Sequence, residues 1–300
     1  MIKEEYFDAG LKAYNNKNYS KAIDYFNQLI DTFSNSIGEE KLSETYYMRG
    51  ICYAQEYSIN EALEDFNEAE KLGFDKSKIY CGIGIAYAHC GKNKVAINYF
   101  TKAIELNKIY DEAYYRRGIS YNFMLDFNSA IINFNKAIEL KDDYYKYYYY
   151  RGIAFNHKIK YDKALKDLNK TIRLNDKFVL AFNYIGLVYY NIEDYDKALY
   201  NFNKAIELDE NFNPAYNNRG LVYYRMGKEK YDKAFNDFDK AIELNDEFSF
   251  AYSNRGLIYY HKEDYDKAFN DFTEAIKLND KLTVAYNNRG LIYYHKEDYD

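Results

Sequence analysis

A chain of 300 residues with 48% apolar side chains has ample material for a core, and its 47 acids and 41 bases leave a net charge of −6. Those charges are spread along the chain, which argues against a nucleic-acid groove, since such a groove needs clustered Lys and Arg in excess. No stretch approaches 18 apolar residues, so direct membrane insertion is not expected, and one Pro with many Lys, Glu, Ala and Leu leans helical.

The opening "MIKEEYFDAG" contains no apolar run of signal-peptide type. Cys52, Cys81 and Cys90 are odd in number and lack CxxC spacing, so they read as reduced thiols of a cytoplasmic protein. From there a single period organises the whole chain. Gly10, Gly50, Gly84, Gly118, Gly152, Gly186, Gly220, Gly256 and Gly290 recur mostly every 34 residues. If each glycine is position 8 of a unit, the units run 3–36, 43–76, 77–110, 111–144, 145–178, 179–212, 213–248, 249–282 and an incomplete 283–300, a single array over 1–300. The seventh unit carries a two-residue insertion in "GKEKYDKA".

Within a unit, aromatic residues at positions 4 and 11 share a helix face with the glycine at position 8. A second face carries Ala at position 20 and Phe or Leu at position 24, for example Ala96 with Phe100 and Ala164 with Leu168. Each unit is therefore expected to be an antiparallel helix pair, its small residues letting the backbones approach. Asp126, Asp194, Asp264 and Asp298 stand where second helices begin and are candidate caps. A lone pair cannot bury its aromatic face, so the pattern predicts an all-α solenoid. A longer loop is expected in the first unit, about residues 32–44, and a ninth unit without its second helix reads as a fragment cut from a longer array.

The spacing of Tyr, Gly, Tyr, Ala, Phe and Ala resembles the tetratricopeptide repeat (TPR) family. The clearest units are "AYNNRGLVYYRMGKEKYDKAFNDFDKAIELND" and "AYSNRGLIYYHKEDYDKAFNDFTEAIKLND". The resemblance covers essentially the whole chain and implies a right-handed superhelix. There are departures. The family's Pro near the end of the second helix is represented only by Pro214, Gly at position 15 survives only as Gly91 and Gly227, and Leu29 or Thr171 replaces Ala at position 27. The carboxylate clamp of heat-shock co-chaperones, which needs Lys at position 5 and Asn at position 9, is absent.

Position 7 is Arg in six units, and an acid at position 23 accompanies it in four: Arg49 with Asp65, Arg151 with Asp167, Arg219 with Asp237 and Arg255 with Asp271. Where Arg is missing, so is the acid. This covariation predicts structural ion pairs between the two helices of one unit, rather than a phosphate or carboxylate site. Arg117 with Asn133 breaks the rule.

Positions 2, 5, 6, 9, 12 and 13 of the first helix are expected to line the concave groove. Position 9 is aliphatic throughout, including Leu221 and Leu257. Position 12 is Ala54, Ala88, Asn122 and Asn156 in four early units but Tyr190, Tyr224, Tyr260 and Tyr294 in the last four. Asparagines gather in the same half at positions 5 and 6: Asn183, Asn217, Asn218, Asn254, Asn287 and Asn288. An amide both donates to and accepts from a peptide bond, and Tyr adds flat contact area with a polar tip, so these rows form a candidate peptide groove. As groove-facing residues, Asn218, Asn254 and Asn288 should be replaceable by Ala without loss of folding. The competing reading takes the rows as recent duplication, which the near-identity of the last two units favours.

All four histidines, His89, His157, His261 and His295, occupy position 13. Neighbouring helices about 8–10 Å apart cannot bring them onto one tetrahedral ion, so no metal site is expected. A helix C-terminus favours His⁺, and its titration would make the groove pH-sensitive. No nucleophile is paired with a base and no cofactor motif occurs; the GxG in "CGIGIAY" lies on a helix. The expected function is a non-catalytic scaffold holding an extended peptide or protein segment of unknown identity. Two other expectations are a targeting module of a larger enzyme or membrane-anchored protein, and self-association through the uncapped last repeat.

Overall fold

The computed structural model describes residues 3–295. Seventeen α-helices lie among them: α1 Lys3–Asn15, α2 Tyr19–Phe33, α3 Glu39–Gln55, α4 Ile59–Lys71, α5 Lys76–His89, α6 Asn93–Leu106, α7 Asp111–Phe123, α8 Phe127–Leu140, α9 Tyr145–His157, α10 Tyr161–Leu174, α11 Val179–Asn191, α12 Tyr195–Leu208, α13 Asn213–Met226, α14 Tyr231–Leu244, α15 Ser249–His261, α16 Tyr265–Leu278 and α17 Thr283–His295. They fall into two compact units, Met1–Lys158 and Ile159–Asp300. In the first, α1 to α8 form four hairpins and α9 packs on α8. In the second, α10 packs on α11, three hairpins follow from α11 to α16, and α17 closes on α16.

The hairpins pack by one rule in both units. Small residues at position 20, such as Ala96, Ala130, Ala198 and Ala234, are fully buried, and so are the phenylalanines four residues further on. Each ring lies against the glycine of its own hairpin. A Cβ added at Gly118 would stand 2.7 Å from Phe134, and one at Gly220 2.6 Å from Phe238. Heavy atoms do not approach that closely, so the glycine is a steric requirement.

The turn inside each hairpin needs a left-handed residue at position 15. Gly91 and Gly227 supply it at φ 72° and 114°, but Lys17, Tyr57, Leu125, Ile159, Glu193 and Glu263 adopt it at φ 57–63°. The fold therefore keeps the turn where the sequence has lost the glycine, at a steric cost per residue. In the seventh repeat, Gly227 and one 3₁₀ turn at Lys228–Lys230 absorb the insertion.

Asp126, Asp194 and Asp264 accept from the backbone N–H of Ser129, Lys197 and Lys267, capping α8, α12 and α16. Asp298 lies outside the described residues. The expected loop at 32–44 is a correction: α2 runs to Phe33 and α3 starts at Glu39, leaving only 34–38 between them. The physical reason is local, since Glu39 and Glu40 favour a helix N-terminus and Ile37 is buried beneath the turn.

Candidate peptide-binding face

The first helices of successive hairpins touch side by side, α11 with α13, α13 with α15 and α15 with α17 in the second unit. Their positions 5, 6, 9, 12 and 13 thus form rows, and the rows are more engaged with one another than their polarity suggested. Asn183 and Asn217 at position 5 are buried. Asn218 Nδ2 donates to Asn183 Oδ1 at 3.0 Å, and Asn254 Nδ2 donates to Asn217 Oδ1 at 2.8 Å. This carboxamide ladder links position 5 of one repeat to position 6 of the next. Asn288 Nδ2 is buried without an acceptor among the described residues, where the preceding repeat has Ser253. Asn287 is exposed. Asn218 and Asn254 were expected to be replaceable by Ala without loss of folding; each such change strands a buried amide oxygen, on Asn183 or Asn217, and so carries a cost in stability.

Position 12 makes a parallel ladder. Arg225 Nε donates to Tyr190 Oη at 3.2 Å, Tyr224 Oη lies 2.9 Å from His261 Nε2, and Tyr260 Oη lies 2.6 Å from His295 Nε2. The imidazoles also pack on rings of the preceding repeat, His295 stacking on Tyr265 at 5.4 Å and His157 on Phe127 at 4.7 Å. His89 Nδ1 lies 2.9 Å from the Ala54 carbonyl oxygen. Burial, reinforced by the Lys228 charge, lowers the pKa of His261 and favours its neutral ring. Position 13 is therefore a docking point between repeats as well as a helix end. Leu221, Leu257 and the tyrosines at 190, 224 and 260 remain half-buried, while Tyr294 is 66% exposed.

Beneath these rows run the arginines. Arg49 meets Asp65 through two bonds of 2.8 and 2.6 Å, Arg219 meets Asp237 at 2.8 and 2.6 Å, and Arg255 meets Asp271 at 2.9 and 2.8 Å. Arg117 Nε donates to Asn133 Oδ1 at 2.8 Å, so the neutral amide serves where the acid is missing. Burial pushes the carboxyls of Asp65, Asp237 and Asp271 up despite the arginine beside each. Arg151 belongs to the first unit, where its Nη1 donates to Asn135 Oδ1, and Asp167 belongs to the second, where it is buried.

One partner was not legible in the sequence. Nη1 of each arginine reaches position 25 of the preceding repeat: Asn27 for Arg49, Thr101 for Arg117, Asn203 for Arg219 and Asp239 for Arg255. The guanidinium therefore ties two hairpins together. Position 25 gave no signal, because Asn67 and Asn169 stand there ahead of repeats that lack the arginine.

Matches to known proteins agree with this geometry. Family models described as tetratricopeptide repeat match residues 6–36, 77–110, 111–144, 214–248 and 249–282, and one described as TPR repeat matches 186–227. The chain belongs to the tetratricopeptide repeat family. No curated protein sequence matches it. Among solved structures, the TPR array is similar to that of the APC/C hetero-tetramer Cut9–Hcn1, with TM-score 0.71 and 17% identity over 91% of this chain and 52% of that one. Yeast Tom70 is similar at TM-score 0.63 and 22% identity, over 99% and 64% of the two chains. A tetratricopeptide repeat protein from Parabacteroides merdae gives 0.68 and 19%, over 83% and 98%. This chain spans about half the length of the Cut9–Hcn1 chain and under two thirds of the Tom70 chain. At these identities the likeness is one of fold.

Burial pushes the Cys52 and Cys81 thiols up to about 12, so neither is a thiolate nucleophile at neutral pH. Among the described residues no helix is long and apolar enough to cross a membrane.

Proposed function

We propose that this TPR array is a non-catalytic scaffold that holds an extended protein segment along the first-helix rows of its second unit. Arrays of this family are generally protein-interaction modules. The observation that carries the finer reading is a stripe of half-exposed apolar side chains beside polar groups with spare capacity. Leu221 and Leu257 flank the tyrosine row, and Phe250 is exposed about two turns before Leu257 on α15. Asn218 and Asn254 each spend one N–H on the ladder and keep a second; the Asn218 oxygen also accepts from Asn217 Nδ2 at 3.4 Å, with one lone pair to spare. A peptide backbone satisfies both while its side chains cover the leucines.

Peptides selected from a displayed random library against the full chain test this. Leu291→Lys and Asn287→Ala alter exposed residues of that face, and Tyr200→Ser alters an exposed residue of a second helix. Selected peptides should lose about tenfold in affinity on the first two, the worth of a buried apolar anchor or a hydrogen bond to it, and nothing on the third. Equal binding to all three variants would sink the reading.

A further inference from the structure

The first unit holds a cavity of about 480 Å³ that the second unit's sequence would fill. In the seventh repeat, Tyr224 at position 12 stacks on Tyr231 at position 17, with ring centroids 5.5 Å apart. The same two positions of the third repeat are Ala88 and Asn93, and both line the cavity. Two aromatic rings are missing, and the space they would occupy is open. Its walls are Ile85, Phe100 and Ile119, with Tyr115 and Tyr150 beyond them.

Its polar lining is one-sided. Arg116, Lys146 and His89 border it, and no Asp or Glu does. Glu112 receives Nε and Nη2 of Arg116 at 3.2 and 3.1 Å, which leaves Nη1 without a partner among the described residues. Lys146 makes no ion pair among them. Ser120 is 0% exposed and lines the cavity, yet among the described residues its hydroxyl has no hydrogen-bond partner; Asn93 Oδ1 is buried and equally unpaired among them. Position 10 is apolar or Cys in every other repeat from the second on, among them Ala86, Ala154, Val188 and Ile258. A buried hydroxyl with nothing to bond is costly unless something enters to meet it.

We propose that this cavity is a binding site for an apolar carboxylate, its aliphatic body against Ile85, Phe100 and Ile119 and its carboxylate bonded to Arg116 Nη1 and the Ser120 hydroxyl. A volume of this size suits a ligand of that kind. The chemistry is shared by a free medium-chain acid and by a peptide C-terminus ending in an aliphatic residue. It is independent of the face in the second unit.

Calorimetric titration of the full chain separates these cases, using octanoate, octanamide, and a heptapeptide ending in Leu with a free or amidated C-terminus. Binding of octanoate or of the free-acid peptide identifies the source, and the matching amide should bind about tenfold or more weakly. Ala88→Tyr should abolish binding. Ser120→Ala removes a buried hydroxyl with no partner among the described residues, so it should keep or raise the melting temperature while weakening the acid about fivefold. Leu291→Lys should leave octanoate binding unchanged. The proposal fails if neither acid binds, if amides bind as well as acids, or if Ala88→Tyr and Ser120→Ala bind like the parent.

Discussion

The two units of this TPR array share a core and differ in what lies on it. In both, glycine meets phenylalanine inside each hairpin, and arginine reaches from one hairpin to its neighbour. On the first-helix face they part. The second unit fills positions 12 and 13 with Tyr190, Tyr224, Tyr260, Arg225, His261 and His295, joined in a ladder across repeats. The first unit has Ala54 and Ala88 at position 12, and behind Ala88 the space stays open. A repeat scaffold can thus vary the contacts on one face from repeat to repeat, because the glycine–phenylalanine and arginine contacts that both units share occupy other positions of the same hairpins.

The arginine link offers the sharpest way to break that comparison. Asp237→Ala leaves Arg219 buried beside no charge, and since Arg219 keeps 20% exposure the cost should be about 3 kcal/mol, the low end for such a pair. Asn133→Ala in the first unit removes a neutral acceptor from Arg117 and should cost about 1–2 kcal/mol. Urea unfolding of both variants measures the difference. Equal losses would mean that the acid contributes nothing beyond its hydrogen bonds.

The shared core is tested next by glycine. Gly118→Ala and Gly220→Ala press a methyl into Phe134 and Phe238, and each should cost about 1–3 kcal/mol. At Gly290 no described residue lies within 4 Å of the added Cβ, so Gly290→Ala should be neutral or slightly stabilising. If Gly118→Ala and Gly220→Ala differed by more than the spread of the measurement, the two units would not be packed alike.

Much of this was readable in advance, for a physical reason. The 34-residue period, the hairpins and the pairing of Arg49 with Asp65 or Arg255 with Asp271 all leave a trace in internal variation, because gain and loss occur together. Contacts made by residues that stay constant leave none. Asn27 and Asn203 serve the arginines, but the same residue type stands at Asn67 and Asn169, where no arginine follows. The carboxamide rows were visible as asparagines, while their pairing of Asn254 with Asn217 needed the stagger of adjacent helices. The Ala-to-Tyr change at position 12 was visible too, though only the packing of Tyr224 on Tyr231 reveals what its absence at Ala88 leaves behind.

The smallest effect concerns position 15, where both units depart from the family in the same way. Leu125 and Glu263 hold φ 62° with a Cβ in the way, whereas Gly91 holds φ 72° without one. Leu125 is exposed, so its side chain gives up little packing when removed. Leu125→Gly and Glu263→Gly relieve the left-handed clash but add freedom to the unfolded chain, two terms of opposite sign. The clash is the larger, so each variant should gain about 0.5–1 kcal/mol in urea unfolding. A gain at Glu263 with a loss at Leu125 would show that the exposed leucine packs on its turn after all, and would place the difference between the units in their hairpin turns as well as on their first-helix faces.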